Sequence, residues 1–475
     1  MKCTIQLLIE DPGKLPLCVP IQTIERECER IEAVGLRLNE AKSLLGQLQQ
    51  HVARAQISSY LQAHRCCERC SQSRRVKGYH PMRFRTALGD LSLRSPRWRR
   101  CDCEGADGPA SFSPLTQLLT THTAPDLEYL QAKWAAHLSF AAVAALLRDV
   151  LPIDPGLHGE GVREHVLATA ERLEAELGPE QFAFDGGCQR DIEASPEPGP
   201  PVTVGLDGGY VRGRQKMPGG TGCFEVIAGK SIPQDSAAKV FAFVRRVDSK
   251  PKRRLHEVLK AQGVVPRQQV TFLSDGGDTV KELPFMLHPG SEHILDWFHI
   301  AMRIEQLLQT ARGMGDEEEQ SVTKAQILAE LGRIKWFLWH GNVMRATDTL
   351  TTLIDDIDGA REESRQSGRP TQIVLKKLSR ALDEFGTYID GNTGAIVNYG
   401  ERYRCGERIS TGFVESTINQ LLAKRFVKKQ QMRWTPRGAH LLLQVRANVL
   451  NHDLEAAFQR WYPGFGGPVE TQQAA

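Results

Sequence analysis

Two stretches of the chain share one design. In VTVGLDGGYVRG (202–213), residues 202–206 read as a short apolar strand, Asp207 ends it, and Gly208-Gly209 allow a sharp exit. In QVTFLSDGGDTV (269–280), residues 270–273 read as a strand, Asp275 ends it, and Gly276-Gly277 follow. A carboxylate at the end of a buried strand requires a hydrogen-bond donor, water or a cation. Two such carboxylates from one sheet can share metal ions, the arrangement of two-metal phosphoryl transfer. Glu415 offers a third acid, early on a helix that Ser410 or Thr411 would cap. On that helix Val414, Ile418, Leu421 and Leu422 fall on one face, with Glu415 beside it. Each acid also has an ordinary reading, because Asp before Gly commonly starts a turn and a helical Glu is commonly solvated. Glu225, Asp278 and Glu282 are competing carboxylates nearby.

A second constellation is made of cysteines. HRCCERC supplies Cys67 and Cys70, and RRCDC supplies Cys101 and Cys103, two close pairs of the kind that bind zinc tetrahedrally through four thiolates. Cys66 is an alternative to Cys67. Between the pairs, alternating residues around Leu88-Gly89-Asp90 predict a β-hairpin. Residues 65–100 hold 11 Lys/Arg against Glu68 and Asp90 alone, and residues 421–446 hold 7 Lys/Arg and no acid. Such patches suit phosphate. Arg97, Trp98 and Arg99 in the first patch, and Lys424, Arg425, Lys428, Lys429, Arg433 and Trp434 in the second, are the candidate DNA contacts.

The elements that must position these groups follow an α/β order. Residues 1–60 predict a helical region from Ile21 onward, with Ile24, Ile31, Leu38, Leu45 and Val52 every seven residues. Residues 61–115 form the predicted zinc ribbon. Residues 116–178 are helical, with one long helix over 127–147 and a second over 161–177, a possible helix-turn-helix. Residues 179–200 read as a linker. Residues 201–300 contain five strands (the fifth over 293–300) and two helices, a ribonuclease-H-like order that sets Asp207 and Asp275 at neighbouring strand ends. Residues 301–400 are a helical insertion whose core takes Trp336 and Trp339. Residues 401–460 complete the core with the Glu415 helix, and 461–475 form a flexible tail.

With 475 residues, 41% hydrophobic and 25% charged, the chain is an ordinary multidomain globular protein. Its net charge of +3 by itself favours no partner. Eleven cysteines without a signal peptide point to metal or buried thiols rather than disulfides. No apolar run approaches the roughly 18–20 residues of a membrane span. The expected place is the cytoplasm, on the nucleoid.

Asp207, Asp275 and Glu415 are 68 and then 140 residues apart. With the helical stretch between the last two, they resemble the DDE triad of ribonuclease-H-fold transposases. Asp296-Trp297-Phe298-His299 is similar to the C/D-x-x-H signature of that group. With LDGGYVRG, SDGG, ILDWFHIAMR, GFVES and MRWTPRGAHLLLQVRA, most of residues 64–455 resembles an insertion-sequence transposase of the ISKra family. The resemblance implies binding to terminal inverted repeats, then metal-dependent strand cleavage and strand transfer, by a homo-oligomer on paired ends and without a membrane. It implies two Mg²⁺ (or Mn²⁺) on Asp207, Asp275 and Glu415, structural Zn²⁺ on the cysteines, and supporting roles for Asp296 and His299. Two other classes fit parts of the pattern: a non-catalytic zinc-ribbon DNA-binding regulator, and a nuclease on the same fold that cleaves without joining.

Overall fold

The computed structural model describes residues 1–10, 15–26, 31, 34–104, 109–180, 196–214, 222–277, 291–314, 322–367, 373–427 and 433–466. The chain forms two compact units, Met1–Arg172 with His452–Ala475, and Leu173–Asn451.

The first unit opens with strands rather than a helix. β1 (Lys2–Ile9) pairs antiparallel with β2 (Leu17–Glu25), and helix α1 (Leu38–Ala63) starts well after Ile21. The seven-residue series misled here because Ile24 sits in the β ladder opposite Cys3, and Gly35 takes φ 73, which ends helical continuity. β3 (Val76–Thr86) and β4 (Gly89–Arg99) form the expected hairpin, with β5 (Ser111–Phe112) on the far edge of β4. Met82, Leu91 and Leu93 pack with Ala53 of α1 and with Leu115, which opens the short α2 (Leu115–Leu118). Three helices follow: α3 (Pro125–Ala135), α4 (Phe140–Val150) and α5 (Gly159–Leu177). The single helix expected over 127–147 is split because the Ser139 side chain accepts from the Ala142 amide at 3.2 Å and caps a new start. Residues 181–195 of the expected linker lie outside the described residues.

The second unit is built on a five-stranded sheet: β6 (Val202–Arg212), β7 (Cys223–Ile232), β8 (Lys239–Val244), β9 (Val270–Ser274) and β10 (Ser291–Leu295). Their order is β10-β9-β6-β7-β8. β6, β7 and β8 run antiparallel to one another, while β9 joins β6 and β10 joins β9 in parallel. Period-two alternation assigns the faces. Val202, Val204, Leu206, Val270 and Phe272 meet Leu255 and Leu259 of α6 (Pro251–Ala261). Leu273 and Ile294 face the other way, into a core made by α7 (Trp297–Arg312), α8 (Lys324–Trp339), α9 (Val343–Gln366), α10 (Ile373–Asp390) and α11 (Tyr399–Arg404). The expected helical insertion is thus continuous with the sheet's own core. Trp339 packs in it, but Trp336 is 59% exposed.

Two of the expected strands end differently. β6 does not stop at Asp207, because its ladder with β7 continues through Arg212↔Cys223. The fifth strand ends at Leu295 rather than 300, because Asp296 accepts from the Phe298 amide and starts α7.

Helix α12 (Gly412–Ile418) runs on into a π-helical stretch, Asn419–Val427, and lies across β6 and β7. α13 (Pro436–Leu450) packs on β8. The chain then rejoins the first unit through α14 (Leu454–Trp461), where Phe458 and Phe465 meet the Tyr129 ring of α3 at 5.4 and 5.2 Å. The expected flexible tail is therefore packed as far as Phe465, and 467–475 lie outside the described residues. Among the described residues no helix is long and apolar enough to cross a membrane.

The close approach of α12 depends on glycine. A Cβ at Gly205 would stand 2.0 Å from Val414 Cγ2, and one at Gly209 would stand 2.5 Å from Leu422 Cδ1. Gly205→Ala should therefore lift α12 off the sheet and lower stability by about 3 kcal/mol. Denaturant unfolding of the variant checks this. An unchanged midpoint would mean that α12 is not docked in solution.

Candidate active site and metal centre

The sheet registers bring three aspartates into one row. Gly205 of β6 pairs with Leu273 of β9, which pairs with Ile294 of β10. Two residues further along each strand stand Asp207, Asp275 and Asp296, on strands about 4.8 Å apart. Alternation puts Asp207 on the face of Gly205 and Gly209, beneath α12. Its carboxyl is raised to about 6, first by burial and then by the Asp275 charge. Asp296 adds to the rise, while the Gly208 amide and His299 oppose it. Asp207 Oδ1 accepts from Gly208 N at 2.7 Å, and Asp275 Oδ1 accepts from Gly277 N at 3.0 Å. Gly276 takes φ 81, and a Cβ there would stand 2.5 Å from Asn392 Oδ1, so the turn after Asp275 requires glycine.

Asp296 is fully buried and its two oxygens are used differently. Oδ1 accepts from Phe298 N at 2.7 Å, and Oδ2 accepts from the Thr411 hydroxyl. His299 Nε2 lies 3.7 Å from Oδ2. Burial leaves the Asp296 carboxyl raised, although these donors oppose the rise. The C/D-x-x-H pair is therefore a capping acid and a half-buried imidazole one turn later. It ties the tip of β10 to the chain entering α12, with Trp297 N donating to Ile409 O at 3.0 Å as a second tie.

Glu415 is placed less tightly. Its neighbours Val414 and Ile418 dock on β6, whereas Glu415 itself is exposed. The ligand atoms of Asp207, Asp275 and Glu415 do not all come within 4.8 Å of one another. The structure thus brings Asp207 and Asp275 together, adds Asp296 to their row, and leaves Glu415 exposed on α12. Of the competing acids, Glu225 pairs with Arg245 at 3.3 Å, and Asp278 and Glu282 lie outside the described residues.

The four cysteines do converge. Cys67, Cys70, Cys101 and Cys103 have all their sulfurs within 4.8 Å of one another, with Cys67–Cys103 and Cys70–Cys101 at 3.4 Å. Zn–S bonds of about 2.3 Å in a tetrahedron set sulfurs about 3.8 Å apart, so the cluster can hold a zinc ion. Burial works against the Cys67 thiolate, but the Arg69 and Cys70 amides outweigh it and lower its pKa to about 7. The sulfurs of Cys101, Cys70 and Cys67 raise that of Cys103. Four thiolates this close ionise together only around a cation. Cys66 lies outside the cluster, exposed and bridged to Ser73. Glu104, which no sequence motif marks, accepts from Cys101 N at 2.9 Å and from Arg74 Nη1 at 2.8 Å and so braces the site. Arg74, and after it the Cys101 amide, lowers the Glu104 carboxyl to about 2.

A third group was not anticipated. Glu174, Asp248 and His440 also lie within 4.8 Å of one another and can hold a metal. Arg254 already sits among them, with Nε 2.9 Å from Asp248 and Nη2 2.8 Å from Glu174.

The proposed DNA contacts divide by exposure. Arg97, Arg99, Lys424 and Arg433 are exposed. Trp98, Arg425 and Trp434 are buried at 1, 1 and 6% exposure and serve the packing instead. Trp98 packs edge-on against Phe112, and the Arg425 guanidinium lies over the Trp434 ring at 5.2 Å. Burial lowers Arg425 to about 10. Lys428 and Lys429 lie outside the described residues. Exposed Tyr79 beneath Arg94, at 4.6 Å, is a surface aromatic that charge counting missed.

No protein-family model and no curated protein matches the chain.

Two outcomes follow from these geometries. Asp207 binds its proton more tightly folded than its ordinary value of 3.8 allows, so between about pH 4 and 6 the native state holds a proton that the unfolded chain releases. Stability therefore falls as pH rises through that window. Asp207→Asn should melt above the wild type at pH about 7, and the difference should close toward pH about 4; melting curves across that range check it. For the cysteines, purified chain should carry one zinc by metal analysis. Cys101→Ser should lose the zinc and several degrees of melting temperature.

Proposed function

We propose that the chain is a metal-dependent phosphoryl-transfer enzyme acting on DNA, with a ribonuclease-H-like core. The observation that carries this reading is the placement of Asp207 and Asp275 two residues beyond the Gly205–Leu273 pair of neighbouring parallel strands, where the Asp275 charge bears on Asp207. The strand order supports the fold assignment: three antiparallel strands, then two parallel ones added on the far side of the first.

The donor set fits a hard divalent cation. Carboxylate oxygens suit Mg²⁺ or Mn²⁺, and the proton affinity of Asp207, raised first by burial and then by the Asp275 charge, is what a bound cation would lower. Asp207 and Asp275 would hold two ions, with Glu415 as the third carboxylate from α12. When bound, the ions activate the attacking oxygen and neutralise charge on the leaving oxygen. Asp296 keeps α12 and α7 in place around the site, and His299 moderates the charge of the row.

The specific reaction we propose is strand cleavage followed by strand transfer at the terminal repeats of an insertion sequence, as the ISKra-family resemblance implies. The structural zinc of a ribbon on Cys67, Cys70, Cys101 and Cys103, with exposed Arg97 and Arg99, would present a DNA-binding surface. Paired ends call for a homo-oligomer.

The test is nicking and joining of a labelled terminal-repeat duplex with Mg²⁺ or Mn²⁺. Wild type should cleave and join. Asp275→Asn should bind with similar affinity and lose cleavage by at least about a hundredfold. Cleavage without joining would make the chain a nuclease. Binding without cleavage under either metal would leave a DNA-binding protein.

A further inference from the structure

The face of α7 that follows His299 carries a second cation whose role the carboxylates do not explain. Arg303 lies four residues on, so the two side chains share one helical face. Arg303 is exposed and makes no ion pair among the described residues, although the three-aspartate row is close by. Its guanidinium carbon lies 4.1 Å from the Tyr388 ring centroid. Tyr388, on α10, donates its hydroxyl to the Asp275 carbonyl at 3.0 Å. Burial raises the Tyr388 phenol; Arg303 opposes this and the charges of Asp275 and Asp296 add to it, so the ring stays a neutral donor.

Tyr388 is therefore a bracket. Its edge fixes the turn of Asp275, and its face holds Arg303. A guanidinium beside carboxylates ordinarily forks onto one of them. Stacking on a tyrosine whose own position is tied to Asp275, with a hydrogen bond toward that side chain, keeps this one planar and oriented, and it has no ion pair among the described residues. Its N–H edge is left to an anion that arrives from outside. Exposed Phe298 and Met302, at 50 and 39%, flank it on the same helix and add apolar surface beside the charge.

We propose that Arg303 is a phosphate-binding residue, which contacts a non-bridging oxygen of the DNA phosphodiester held at the Asp207–Asp275 site. This rests on the phosphoryl-transfer reading above. Arg303 offsets the repulsion between a polyanionic strand and the aspartate row, and it orients the phosphate without occupying any carboxylate oxygen. Lysine would keep the charge but lose the stacked, forked geometry.

The experiment measures affinity for a fluorescent terminal-repeat duplex against salt concentration, with Ca²⁺ replacing Mg²⁺ to hold the complex short of turnover, and single-turnover cleavage with Mg²⁺. Arg303→Gln should flatten the log–log salt slope by about 0.9, one phosphate contact. It should also slow cleavage by about a hundredfold. Arg303→Lys should keep the slope and lose most of the rate. Arg312→Gln, an exposed arginine further along α7 that is paired with Glu305, should change neither. A wild-type slope and rate in Arg303→Gln overturn the proposal. Loss of one slope step in a protein that cleaves under no metal upholds the phosphate contact and overturns the catalytic reading. A wild type that does not bind the duplex overturns both.

Discussion

The second unit hinges on one buried carboxylate. Asp296 follows the last residue of β10, caps α7, and accepts the hydroxyl of Thr411, 115 residues away in the chain. Removing a carboxylate from water is costly unless its oxygens are satisfied. Here both are, and each donor lies on a different segment. The chain between them, the whole helical stretch from α7 to α11, is thereby closed into a loop that begins and ends at the strand tips. Tyr399 adds a third tie, donating to the Leu295 carbonyl at 2.8 Å. Insertion of a hundred residues into a sheet is tolerable on these terms, because loop-closure cost grows slowly with length once the ends are fixed.

The same fixing explains where α12 can lie. Its start is held by Thr411 and by the Trp297–Ile409 backbone bond; its middle drops into the notches at Gly205 and Gly209. Its continuation departs from α-helical winding, and there Arg446 donates Nε to the Leu421 carbonyl at 2.9 Å and Nη2 to that of Gln420. A π-helical turn leaves carbonyls without their usual partners, and such turns collect at functional sites. A buried arginine from α13 supplies the missing donors, at the expense of its own hydration, which lowers its pKa to about 9. The helix carrying Glu415 is therefore braced at both ends, with the acid itself on the open side.

Much of this was legible, and for physical reasons. Apolar runs ending in Asp-Gly-Gly marked β6 and β9, since few sequences but a buried strand place apolar runs against such a break. Helical periods marked residues 301–400 as helical, and α8, α9 and α10 lie there. The paired cysteines converged because hairpin alternation forces their ends together. What failed was local competition. HILDWFHI reads as a continuous apolar strand, and only the capping acid at Asp296 divides it. Ser139 divides α3 from α4 in the same way. Trp98, Arg425 and Trp434 looked like contact residues because composition reports charge and aromaticity but not which side of a strand or helix is covered. Nothing near Glu104 or Arg303 in the sequence betrays its partner, because Arg74 and Tyr388 are 30 and 85 residues distant.

Three clusters of anionic groups differ in what supplies the positive charge. Glu174, Asp248 and His440 lie within 4.8 Å of one another and can hold a metal, yet Arg254 already supplies a cation there with two carboxylate contacts and a 2.6 Å bond to Gln444. Burial pushes Glu174 up, but His440 and Arg254 together leave it lowered, the signature of an anion already satisfied. The cysteine cluster can hold a zinc ion, which soft thiolates select. The aspartate row is the opposite of the Glu174 cluster: Asp207 is raised, and Arg303 is stacked on Tyr388, which holds the Asp275 turn, rather than ion-paired with the acids. Proximity alone does not make a metal site. Asp207 and Asp275, at the ends of β6 and β9, have no arginine or lysine salt bridge among the described residues, and that is where a divalent cation and a phosphate have most to gain by binding.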